Sequence, residues 1–218
     1  NSGNNFATIN PLTPSTVASG SNRVLSNGNL TLATVENGIT DAVSNIGIPS
    51  GTAYYMEIRQ RSCTGSSPSN PNLGFVGICP VGYGQSDRYY TPALGSVDKA
   101  VFYYGLTGDR YDYSANQYEG AYAYGATYTD GDILGWAFDT SNNVTVYKNG
   151  VSQGILTTYS DSSYPLVFNP ESLSNNSICT YDLNFGQNPS FSGQVTAGTN
   201  ADDSGKGLFK YAPPTGFL

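Results

Sequence analysis

The stretch Gly131–Gly154, GDILGWAFDTSNNVTVYKNGVSQG, decides the fold. From Asp132 to Asp139, Ile133, Gly135 and Ala137 alternate with Leu134, Trp136 and Phe138. Successive side chains of a strand point to opposite faces. Both faces of this strand are apolar, which predicts burial on both sides. TSNN supplies a turn, because Asn tolerates the left-handed backbone region. VTVYK then runs back to Asn149-Gly150, the pair that a type I′ hairpin favours because both central residues need positive φ. The segment reads as a three-stranded meander, with Trp136, the only Trp, in its core.

The same period-2 grammar recurs along the chain, bounded by Gly, Asn, Asp, Pro and Ser, while helical periodicity is weak throughout. Strands are predicted at RVLS, LTLATV, AVSNIGI, AYYMEIRQ, LGFVGICP, KAVFYYGL, GAYAYGATY, DILGWAFD, NVTVYKN, QGILTTY, YPLVFNP and ICTYDLNFG. Turn-rich loops separate them, among them GYGQSDRYYTPALGSVD and TGDRYDYSANQYEG. A length of 218 residues suits one all-β antiparallel sandwich. Residues 1–22 read as an extended arm, 23–187 as the sandwich and 188–218 as a C-terminal extension packed on it.

Composition narrows the function. Nine Lys+Arg against sixteen Asp+Glu give a net charge of −7 without a basic cluster. Such a chain is a poor binder of nucleic acid, whose phosphates need Lys and Arg. No apolar run reaches the 18 residues that signal a membrane-spanning helix, so no membrane insertion is expected. Only 11% of residues are charged, and polarity comes from Ser, Thr, Asn and Tyr, as on extracellular or particle-bound proteins. The three cysteines, Cys63, Cys79 and Cys179, show no metal spacing. They read as three buried reduced thiols, with a Cys63–Cys79 bridge as the alternative.

Gly131–Gly154 resembles the core signature of SPRY (B30.2-like) domains, in which a Gly-Asp-apolar-apolar-Gly strand leads through a hairpin to a Lys-Asn-Gly turn. YYMEIRQ, VGIC, YPLVF and LNFG are similar to further strands of that family and stand in its order. The resemblance implies a bent, concanavalin-like sandwich that acts as a binding module through loops at one end. The flanking phrases NFATINPLTPS and NFGQNPSFSGQVTAGTNADDSGKGLFKYAPPTGFL resemble SPRY-containing structural proteins of tailed bacteriophages. That resemblance implies a virion-surface protein made in the host cytoplasm, and a chain excerpted from something longer.

No catalytic residue is expected. The chain has no His, which excludes Ser-His-Asp and Cys-His arrangements. None of Glu36, Glu57, Glu119 and Glu171 has a second acid two or four residues on, as a concanavalin-like glycanase would place it. Asp130/Asp132 and Asp109/Asp112 fall in turns or loops. YTDGD and NADDSG could offer oxygen ligands to calcium but read as solvated turn acids, so neither a metal nor a cofactor is expected.

Recognition is expected instead in two loops. One carries Asp87, Arg88, Tyr89 and Tyr90; the other carries Asp109, Arg110, Tyr111, Asp112, Tyr113 and Tyr118. Tyr, Ser, Gly and Asn supply rigid amphipathic area and adaptable hydrogen bonds in recognition loops. The reading is a non-enzymatic virion module of a tail fibre, spike or capsid decoration. Its partners would be other virion proteins or a host-surface glycan or protein, and it would form a homo-oligomer, a trimer if it belongs to a fibre. The alternatives are a glycan-processing enzyme on the same fold and a cellular SPRY adaptor.

Overall fold

The computed structural model describes residues 5–12, 23–34, 42–64, 74–80, 84–86, 89–91, 100–114, 117–160, 166–172 and 178–217. Among them no helix occurs, and antiparallel strands form two large sheets. The first holds β1 (Val24–Ser26), β2 (Thr31–Ala33), β3 (Tyr54–Thr64), β10 (Ile133–Phe138), β11 (Asn143–Lys148), β12 (Val151–Thr158) and β14 (Ile178–Asn184). Its order is β1-β2-β14-β3-β10-β11-β12. The second holds β4 (Gly74–Pro80), β7 (Ala100–Tyr104), β8 (Asp109–Ser114), β9 (Gln117–Ala123) and β13 (Leu166–Ser172), in the order β13-β4-β7-β8-β9. Two small ribbons complete the set: β5 (Gly84–Ser86) with β6 (Tyr89–Thr91), and β15 (Asn200–Ala201) with β16 (Leu208–Phe209).

The opening stretch forms the meander β10-β11-β12. All six residues of β10 are buried, and Trp136 is fully enclosed. Asn142 takes φ 63°, and Asn149 and Gly150 take 50° and 81°, the backbone that a type I′ turn requires. Asn149 also ties the turn to the strand start: its side-chain carbonyl accepts from Ile133 N at 2.9 Å.

The alternation on each strand sorts the core. Met56 and Ile58 of β3, Leu134, Trp136 and Phe138 of β10, and Tyr181 and Leu183 of β14 pack between the sheets against Val76, Ile78, Val101 and Tyr103 of the second sheet. Burying each large apolar side chain contributes roughly 1.5–3 kcal/mol, so this layer dominates the energetics of a chain so poor in charge. Tyr181 joins the sheets directly, its hydroxyl accepting from Phe75 N at 3.1 Å. The opposite face of the second sheet carries another apolar cluster, in which Phe75 stacks on Phe102 at 4.4 Å beside Tyr104 and Tyr113. Gly77 makes that stack possible, since a Cβ there would sit 2.2 Å from the Phe102 ring.

Three expectations are corrected. Residues 42–48 do not form a strand; they make isolated bridges at Ser44, which pairs with Ile9, and at Ile48. The run 120–128 leaves the sheet after Ala123, and Tyr128 turns into the core instead, fully buried. The cysteines are not all reduced and Cys63 does not join Cys79. Cys63 and Cys179 are directly opposed on β3 and β14 and form a disulfide across 116 residues. Cys79 is buried on β4 and is not disulfide-bonded.

Candidate recognition surface

The segment 107–119 is not a loop. Asp109–Ser114 and Gln117–Ala123 pair as a hairpin, with Tyr113 opposite Tyr118 and Arg110 opposite Tyr122. Pleating divides the expected site residues between two faces. Asp109, Tyr111, Tyr113 and Tyr118 share the outer face; Arg110 and Asp112 share the inner one.

The outer face is an aromatic platform. Tyr111 lies 5.4 Å from Phe75, 5.5 Å from Tyr104 and 5.7 Å from Tyr118. Tyr118 is 5.5 Å from Tyr113 and 42% exposed, whereas Tyr113 is buried and Tyr111 half-buried. The cluster therefore has a rigid base and an accessible edge. Burial, with a smaller contribution from Tyr111, pushes the Tyr104 phenol up to about 12. Burial and then the charges of Tyr118 and Asp109 raise Tyr111 as well. These rings stay neutral at physiological pH and offer hydroxyl donors beside the Asp109 carboxylate.

The inner face is a clamp between sheets. Arg110 pairs with Asp112 at 2.8 Å, donates to the Leu156 carbonyl at 3.0 Å, and lies 5.0 Å from the Tyr122 ring centre. Tyr124 donates to the Gly154 carbonyl at 2.7 Å. Both carbonyls belong to β12, the edge strand of the larger sheet. Arg110 of the second sheet and Tyr124, just beyond β9, thus occupy acceptors that an open edge would offer to another chain. Arg110 and Asp112 thus lie on the inner face of the hairpin, apart from the tyrosines grouped with them in the sequence. Arg110→Ala is expected to lower stability by about 1–3 kcal/mol in chemical denaturation.

The other expected segment contains the β5–β6 ribbon, with Ser86 opposite Tyr89 and Gln85 opposite Tyr90. Tyr89 and Tyr90 lie on β6; Asp87 and Arg88 fall outside the described residues. The β6 backbone runs beside β8 and β9, so the two segments come together in space.

The densest polar cluster lies elsewhere, on the outer face of the larger sheet. Glu57 is fully buried and accepts from Lys210 N and Tyr211 N at 2.8 Å each and from the Asn184 amide at 3.2 Å. The Tyr55 hydroxyl also bonds to it. Burial raises the Glu57 carboxyl above its usual range, and these donors offset only part of that. Next to it Asp182, also fully buried, accepts from Thr31 Oγ1 at 2.7 Å and from Arg61 Nε at 2.8 Å. The signal for this cluster was strand alternation. In YYMEIRQR, Glu57, Arg59 and Arg61 alternate with Met56 and Ile58, and in TYDLN Asp182 and Asn184 alternate with Tyr181 and Leu183.

The turn acids are occupied by donors. Asp132 accepts from Thr129 N, pairs with Lys148 at 3.2 Å and bonds the Asn149 amide. Burial pushes Asp202 up, but bonds from Ser204, Lys206 and Gly207 outweigh it and hold the carboxyl below its usual range. Among the described residues no group of three or more His, Cys, Asp or Glu is placed to hold a metal ion.

No protein-family model matches the chain. No curated protein matches it either. Among solved structures it is similar to the SPRY domain of human HERC1, with a TM-score of 0.55 and 16% identity over 76% of this chain and 93% of that one. A human SPRY domain (TM-score 0.49, 18% identity, 76% and 96% covered) and the TRIM65 PSpry domain (0.49, 14%, 82% and 89%) also align. With the two packed antiparallel sheets, the HERC1 similarity establishes the fold: this chain is a SPRY-like β-sandwich.

Proposed function

We propose that this chain is a non-enzymatic binding module displayed on the surface of a tailed-phage virion, and that it recognises a host-surface glycan or a protein through the tyrosine face of β8–β9. The observation that carries the reading is the exposed edge of Tyr118 on a rigid aromatic base, beside Tyr111 and Asp109 and next to the β5–β6 ribbon. Aromatic area fixed at low entropic cost, with hydroxyl and carboxylate groups at its rim, suits sugar hydroxyls or a polar protein surface. The SPRY-like fold supports a binding role, and the end phrases NFATINPL and KYAPPTGFL support the virion assignment. The Cys63–Cys179 bridge fits a particle outside the reducing cytosol. Many copies on one particle would multiply a weak single contact by avidity.

The test is binding of the isolated chain to host cells and to a glycan array, repeated with Tyr118→Ala and Tyr111→Ala. Loss of an aromatic anchor is expected to weaken binding about tenfold or more, while Tyr118→Ala, which removes only the packing of a partly exposed ring on Tyr111 and Tyr113, lowers the melting temperature slightly. Binding that survives both substitutions would move the site off this face, and absence of binding to cells, glycans and virion proteins alike would remove the adhesion reading.

A further inference from the structure

The β8–β9 hairpin differs in charge between its two faces. On the inner face Arg110 pairs with Asp112 at 2.8 Å and lies 5.0 Å from the Tyr122 ring centre, so acid, cation and ring meet within the chain. The outer face presents Asp109, Tyr111, Tyr113 and Tyr118, one acid with three rings. Among the described residues no cation pairs with Asp109, and Arg110, its neighbour in sequence, is held by Asp112. Asp109 and Tyr111 are two residues apart on β8, roughly 7 Å along the strand. Their partners on β9 are Ala123 and Ala121. Both alanines are exposed, and a methyl group is too short to cover the carboxylate or the ring beside it. An open lane therefore runs from Asp109 past Tyr111 to Tyr118, whose ring lies 5.7 Å from that of Tyr111 and keeps 42% exposure. Burial and then the Asp109 charge raise the Tyr118 phenol; burial and then the charges of Tyr118 and Asp109 raise that of Tyr111. The carboxylate thus acts electrostatically on both rings.

An aromatic face attracts a cation held within about 6 Å of its centre. A carboxylate two residues along the strand can accept from the same group. A guanidinium meets both demands, because it is planar, weakly hydrated and always charged, stacks on rings and bonds carboxylates. The inner face shows this combination with Arg110 as the cation. We infer that the lane from Asp109 to Tyr118 takes an arginine side chain of a protein partner. The inference rests on the proposed use of the tyrosine face and narrows it to a basic protein surface. Charge complementarity carries it: an acid and neutral rings stand together on a chain of net charge −7, which draws a cation towards that face.

The test is NMR of the β8–β9 amides and tyrosine rings at low ionic strength. Acetylated and amidated Gly-Arg-Gly, the same peptide with neutral citrulline, choline chloride and methyl glucoside are titrated separately. The arginine peptide is expected to shift Tyr111 and Tyr118, saturating on the order of ten millimolar, and the citrulline peptide and glucoside are not. Asp109→Asn, which keeps the shape of the side chain, is expected to weaken arginine binding about fivefold while the folded spectrum persists. Raising sodium chloride to about 0.5 M should weaken it in the wild type and less in Asp109→Asn. Equal shifts from the arginine and citrulline peptides, or an Asp109→Asn variant that binds unchanged, would overturn the inference. Choline binding tighter than the arginine peptide would overturn the protein partner in favour of a quaternary ammonium group. Should Tyr118→Ala abolish binding to cells or glycans while the arginine peptide moves nothing, the inference falls and the tyrosine face stands. Should the peptide bind while cells, glycans and virion proteins do not, the inference stands and the adhesion reading falls.

Discussion

Reducing the Cys63–Cys179 bridge is expected to destabilise the fold by about 4–5 kcal/mol and to lower the melting temperature by roughly 10–20 °C. The bridge closes 116 residues, and the entropy that a crosslink removes from the unfolded chain grows with loop length. The strands need no bridge to meet, because β3 and β14 are paired along their length and Thr34 bonds both backbone groups of Cys179. Reduced protein is therefore expected to fold and to melt earlier. Scanning calorimetry with and without reductant measures the difference, and Cys79→Ala should leave it unchanged. Thiol titration in denaturant should find one reactive cysteine before reduction and three after. Three before reduction would contradict the bridge.

Glu57→Ala is expected to cost roughly 3–5 kcal/mol and to loosen the C-terminal segment. Lys210 N, Tyr211 N and the Asn184 amide would all lose an acceptor in a buried place. Phe209, fully buried with its ring 5.0 Å from Tyr55, would lose the backbone anchor beside it. Limited trypsin digestion reads the result at Lys206 and Lys210, where the variant should be cut faster. Glu57→Gln should fall between, because it keeps one acceptor oxygen but turns the other position into a donor facing donors. The pH dependence has a definite sign. Burial raises the folded carboxyl above the ordinary 4.5, so the folded state holds its proton more tightly than the unfolded state. This contribution to stability is full below the unfolded value and is lost as pH rises through the folded one. Melting temperatures across that range should show the decline in the wild type and lack this component in Glu57→Gln.

Gly131–Gly154 was legible because each local rule agreed with the fold: double-sided apolar alternation, an Asn turn, an Asn-Gly hairpin. The β8–β9 hairpin was read as a loop because its pattern is inverted. Its aromatic residues Tyr111, Tyr113 and Tyr118 face away from the inter-sheet core, while Arg110 and Asp112 face inward as a pair that closes on β12. Polar composition hid an alternation that was present. Residues 42–48 erred the other way, since their alternation is used for isolated bridges at Ser44 and Ile48 and not for a strand.

The sequence by itself determined the all-β class, the meander and the burial of Trp136, because these follow from period-2 patterning and turn chemistry within a few residues. Tertiary structure alone decided which side chains meet across long separations. It set Cys63 against Cys179, carried Glu57 to the backbone of Lys210 and Tyr211, and left Arg59 beside an Asp182 already taken by Arg61. Those pairings depend on the β3–β14 register and on where the C-terminal segment docks, and a one-residue slip would turn every side chain to the other face. No local pattern carries that information.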